Sequence, residues 1–168
     1  MLDIKFEILG DQQYARAFDT FGTDAHDMRE PLGRIAADLR SAVEEQFASK
    51  GARGGTPWAA LNPAYERWKR AHYPGKPILR RTDAMFNALT GTGADGPIRE
   101  HTESRLVWGI TNQVDDNGDR LAVRAGAHQT GKGVVPARPM VALTEADRRG
   151  MDHEFVAWLN ELKHRAGL

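Results

Sequence analysis

The stretch most suggestive of chemistry is Gly126-Ala127-His128-Gln129-Thr130-Gly131-Lys132-Gly133, which approaches the glycine-rich loop that cradles phosphates. That loop requires Ser or Thr after its lysine to hold magnesium, and Gly133 stands in that place. It must also run directly into a helix whose free amides bind the anion. Here Val134-Val135-Pro136-Ala137-Arg138-Pro139 follows, and two prolines so close together forbid such a helix. Nucleotide binding through Lys132 is therefore not expected.

Other constellations fail in similar ways. The chain has 6 histidines, yet no two lie three or four residues apart on a helix, and His153-Glu154 lacks the second histidine of a zinc hydrolase. The carboxylates of Asp115, Asp116 and Asp119 are spaced wrongly for a calcium loop, with no bidentate Glu at the closing position. Ser41, Ser49 and Ser104 occupy no nucleophile elbow. Glu44 and Glu45 fall on the solvated side of a helix. Cysteine is absent, which excludes disulfides, thiolate metal sites and cysteine nucleophiles. No catalytic residue, metal or cofactor is expected.

Lys69, Arg70, Lys76, Arg80 and Arg81 form a local basic cluster interleaved with Trp68 and Tyr73, the composition of a surface that tracks a phosphate backbone and stacks on bases. Trp68 at helical spacing from Tyr65 and His72 fits a core stripe equally well. The 23 basic and 23 acidic side chains cancel, so no global field draws the protein to nucleic acid or an anionic membrane.

The elements that must position these residues follow from periodicity. At 168 residues the chain fits one domain. Leu2, Ile4, Phe6 and Ile8 alternate with charged residues and predict a strand over 2–9, which is neither a signal-peptide core nor a membrane span. Asp11 caps a short helix carrying Ala15, Phe18 and Phe21 and ending at Gly22. Met28, Leu32, Ile35, Leu39, Val43 and Phe47 step by threes and fours and predict a long amphipathic helix. The glycine-rich 50–56 stretch then reads as a mobile loop.

Asn62-Pro63 starts the next helix and Pro74-Gly75-Lys76-Pro77 stops it. Thr82 is expected to cap a short helix with Met85, Phe86 and Leu89 inward. Residues 106–110 and 121–125 both alternate and predict a hairpin turning at Asp115–Asp119. The Pro-rich 130–139 segment reads as a second mobile loop, and Thr144 caps a last helix with Met151, Phe155, Trp158, Leu159 and Leu162 in one stripe. The expected fold is α+β, with a mainly antiparallel sheet packed on long helices.

The order Thr56-Pro57-Trp58-Ala59-Ala60-Leu61, Tyr65, Lys69, then Ile78-Leu79-Arg80-Arg81-Thr82 and Met85, then His128-Gln129-Thr130-Gly131 and Arg138-Pro139, resembles the Mu-like phage virion-morphogenesis or tail-completion family. The likeness spans about residues 1–145. This chain departs from the family pattern in having Thr82-Asp83 for Thr-Gly, Met85 for Leu, and Gly126-Ala127 for Tyr-Ala. The resemblance implies a structural virion protein of the tail or neck, assembled in the host cytoplasm, that completes or terminates the tail and helps join it to the head. It implies a ring of copies, a hexamer by the family pattern, meeting tail-tube and head-connector proteins, with no cofactor and no membrane. A head-closure stopper, or an accessory factor touching passing DNA through the basic cluster, are the alternatives. On this reading Trp58, Leu61, Tyr65, His128, Gln129, Gly131, Arg138 and Pro139 shape loops and subunit contacts.

Overall fold

The periodic stripe of the sequence becomes helix α2 (Arg29–Ala48), which buries Ile35, Ala36, Val43 and Phe47 and also a polar residue, Gln46, at 1% exposure. It lies between helix α6 (Glu145–Ala166) and the short helix α4 (Ala84–Thr90). The computed structural model describes residues 11–92, 96–110, 113–115 and 118–168, so the strand expected at 2–9 lies outside the described residues. Helix α1 (Asp11–Ala25) packs on α6. It continues through Gly22 rather than stopping there, because a glycine weakens a helix without breaking it. Among its described residues Ala17 is buried, while Phe18 is exposed.

Residues 52–54 form one 3-10 turn, entered and left by Gly51 and Gly55 at φ 92° and 93°. A Cβ at Gly51 would overlap the Trp58 ring, so this glycine is required twice over. Helix α3 (Pro63–His72) begins as its sequence dictates: the Asn62 side chain accepts from the Ala64 N–H at 2.9 Å and Pro63 occupies the first turn. Helix α4 is entered through Asp83, not Thr82. Asp83 sits at φ 60° and makes no capping bond, because its carboxylate is held by Lys76 and Arg80 at 2.5 and 2.6 Å. Its inward residues are Met85, Ala88 and Leu89.

The sheet is antiparallel but smaller than expected, with two described strands, β1 (Ile98–His101) and β2 (Leu106–Trp108), packed against α2. The partner of β2 is thus the preceding Ile98-Arg99-Glu100-His101, which shows no apolar alternation in sequence. Residues 121–125 are not a strand. They open helix α5 (Leu121–Thr130), in which Leu121 and Ala125, four apart, are buried while Val123 is exposed. Five residues of alternation fit either period, and the Leu, Ala and Arg composition favours the helix. The Asp-rich turn does form, with Asp115 N–H donating to the Asp119 carbonyl at 2.9 Å, but it delivers the chain into α5.

Helix α6 starts with a capping box: the Asp147 N–H donates to Thr144 Oγ1 at 3.2 Å and the Thr144 N–H to Asp147 Oδ2 at 2.6 Å. Trp158 and Leu162 are its buried residues. The main core gathers Val43, Phe47, Trp58, Leu89, Leu121 and Met140. The fold is therefore a single α+β domain dominated by helix.

Candidate functional site

The segment from Gly131 to Leu143 has almost no secondary structure, yet side chains from α2, α5 and the stretch before α3 fasten it. From the end of α5, Gln129 Oε1 accepts the N–H groups of Met140 and Val141 at 2.9 and 3.1 Å, and its Nε2 donates to the Val141 carbonyl at 2.7 Å. From α2, Gln46 Nε2 donates to the Pro139 carbonyl at 2.8 Å, and its Oε1 accepts the Gly54 N–H at 2.9 Å. Trp58 Nε1 donates to the same Pro139 oxygen at 2.8 Å, with its ring edge-on to Phe47 at 5.2 Å.

Arg138 works in the opposite direction, outward from the segment. Its Nε and Nη2 donate to the Ala59 and Ala60 carbonyls, both at 2.8 Å, and its own N–H donates to the His128 carbonyl at 2.6 Å. Gly131 makes the turn into the segment at φ 78°, where a Cβ would press on Ala137 N at 3.2 Å. The stretches 50–56 and 130–139, read in sequence as loops, thus carry internal tethers. Arg53 extends the first of them to α6, donating to Glu45 at 2.7 Å, to the Ala142 carbonyl at 3.2 Å and to Asp147 at 3.0 Å.

This clip closes one side of a recess of about 370 Å³. Aliphatic side chains, Leu61, Leu79, Met85, Val135 and the ring of Pro136, supply much of its wall, with Tyr65 beside them. Val134 stands at its edge, fully exposed. The polar part holds four cationic residues, Lys69, Arg81, Arg124 and Arg138, together with His128, Asn62 and Thr82, and no carboxylate among the described lining residues. Lys69 and Arg138 are 4% and 5% exposed, and both donate to neutral carbonyls. Burial pushes the pKa of each downward. His128 Nδ1 is enclosed without a hydrogen-bond partner. Burial first, then the guanidinium groups of Arg138 and Arg124, push its pKa down.

The basic cluster does not present one cationic face. Lys69 is turned inward to the Pro77 carbonyl, Lys76 and Arg80 are bound to Asp83, and Arg80 also covers the Phe86 ring at 3.9 Å. Arg70 projects from α3 with Glu66 at 2.9 Å, and Arg81 lies 5.8 Å from the Tyr73 ring. The aromatic residues of α3 are on the surface rather than in the core. Tyr65 and Trp68, each 40% exposed, stack at 5.5 Å, and Trp68 stacks on His72 at 4.9 Å.

Trp58, Gln129, Arg138 and Pro139 of the clip are among the residues whose order marks the sequence. The model of the phage virion morphogenesis family matches residues 9–160. The chain belongs to this family. No curated protein and no solved structure matches it. The virion morphogenesis protein accordingly has a structural and morphogenetic role in a phage, in a family not known for enzymes. Among its described residues no helix is long and apolar enough to cross a membrane, and no group of three His, Asp or Glu is placed to hold a metal.

Of the positions singled out in sequence, Trp58, Gln129, Arg138 and Pro139 meet in the clip of the morphogenesis protein, and Leu61, Tyr65, His128 and Arg138 line the recess. Gln46, Arg53 and Arg124 were not legible as site residues. Gln46 carried one signal, a polar residue set between Val43 and Phe47 on an apolar stripe.

Proposed function

We propose that this virion morphogenesis protein is a tail-completion subunit, acting as a homo-oligomeric ring at the tail or neck of a long-tailed phage, where it finishes the tail and helps it join the head. The observation that carries this reading is the 131–143 segment. Its base is fixed to α2, α5 and the 58–60 backbone, while Val134 at its turn is wholly exposed. An aliphatic side chain held out on a fixed frame is suited to burial against a partner, since little ordering entropy remains to be lost on contact. Further exposed apolar residues, Phe18 on α1 and Val156 and Leu159 on α6, lie on other elements, as a head-to-tail ring contact between unlike faces requires. Family membership supports a role in building the particle. Light scattering across concentration, then with purified tail tubes, tests the reading. A ring mass or tail-dependent assembly is expected, and a monomer indifferent to tails at every concentration overturns it.

The second reading, contact with DNA passing through the ring, is favoured by the exposed Tyr65, Trp68 and His72 stack beside Arg70 and Arg81. It requires salt-sensitive, sequence-independent binding.

A further inference from the structure

We infer that the recess between α3, α5 and the 131–143 segment is a socket for an acidic side chain flanked by aliphatic residues, presented by a segment of a partner polypeptide. The inference deepens the assembly reading by naming what one contact surface holds, and it is testable on the isolated protein. Two features of the wall set the ligand chemistry. Lys69, Arg81 and Arg138 form no ion pair among the described residues, and two of them are almost fully buried. A buried cation satisfied by neutral carbonyls alone retains a large part of its desolvation cost, which an incoming anion offsets. The nearby carboxylates are already engaged: Asp83 by Lys76 and Arg80, and Asp115 by Arg124 at 2.5 Å.

The rest of the wall selects among anions. Leu61, Leu79, Met85, Val135 and Pro136 offer aliphatic surface around the charge, and Val134 extends that surface outward. A phosphate group of a nucleic acid has nothing to bury there. A Glu or Asp side chain with Leu or Val neighbours satisfies both parts of the wall at once. About 370 Å³ accommodates a few side chains rather than a folded element.

The probe is the capped tripeptide acetyl-Leu-Glu-Leu-amide, added to the full chain and followed by NMR at the His128 ring and the Met85 methyl. Saturable shifts at both are expected, with binding at least roughly tenfold weaker for acetyl-Leu-Gln-Leu-amide and for the Arg81→Gln variant. Arg81 is partly exposed and makes no side-chain hydrogen bond among the described residues, so its variant is expected to fold; Val134→Ser, at the lip, gives a smaller loss and an independent check. Equal binding of the glutamine peptide, shifts produced by inorganic phosphate but not by the peptide, or no saturable shift would each overturn the inference. Ring formation by light scattering alongside a failed peptide titration would sink the socket and leave the assembly reading intact.

Discussion

Gln46 and Trp58 converge on one acceptor, the Pro139 carbonyl oxygen, each donating at 2.8 Å. One oxygen with two lone pairs is thereby saturated by residues from α2 and from the 55–61 stretch, which fixes the height of the 131–143 segment above the core. Trp58→Phe keeps the apolar contact with Phe47 and removes one donor, so a loss of about 1 kcal/mol is expected. Gln46→Leu removes the other donor and also strands the Gly54 N–H, at about 2–3 kcal/mol. Because both act on one atom, the double variant is expected to be non-additive in urea unfolding.

Gln129 uses both ends of its amide. Gln129→Glu keeps the acceptor for Met140 and Val141 but turns a carboxylate oxygen toward the Val141 carbonyl in place of a donor. A destabilisation of about 1–3 kcal/mol at neutral pH is expected. It is partly relieved below the carboxyl's pKa, where protonation restores a donor, and thermal melts at pH 7 and pH 4 check both statements.

The Asp147 carboxyl is held at about 2, chiefly by the Arg53 guanidinium and also by Thr144, against 3.8 for an ordinary aspartate. The folded protein therefore binds this proton less readily than the unfolded chain. The resulting stabilisation, about 2 kcal/mol, is complete above roughly pH 5 and is lost as pH falls through 4 toward 2. Arg53→Ala is expected to flatten that part of the stability curve, measured by urea unfolding between pH 3 and 7.

Lys69 separates the two readings of the basic cluster. Its ammonium is buried against the Pro77 carbonyl, so Lys69→Met spares desolvation while losing one bond, and a change within about 1 kcal/mol is expected. If the protein contacts DNA, Arg70→Ala and Arg81→Ala lower the salt slope of binding, each by about one ion, and Lys69→Met leaves it unchanged.

The helices were legible where a start signal was present, as at Asn62-Pro63 and Thr144, or where a long apolar period ran, as in α2. They were not legible where five residues had to decide between two periods, as at Leu121–Ala125, or where β1 carried a single aliphatic residue and owed its existence to pairing with β2. At the site, the motif order pointed to Trp58, Gln129 and Arg138 but not to what they touch. Their partners are backbone carbonyls and amides, which any residue supplies, so sequence leaves no mark at the receiving end.

The bonds of the clip also span the chain: Gln46 to Pro139 across 93 positions, Arg138 to Ala59 across 79, Arg53 to Asp147 across 94. During synthesis, then, the buried Gln46 amide and the Trp58 indole wait for most of the polypeptide to leave the ribosome before they find an acceptor. Until the carboxy-terminal third emerges, the last turns of α2 hold a polar amide whose oxygen is met by the Gly54 N–H but whose NH2 group lacks its Pro139 acceptor. The clip is therefore a late contact in the order of synthesis, and a product truncated before Pro139 leaves the Gln46 amide NH2 and the Trp58 indole N–H without the acceptor they share.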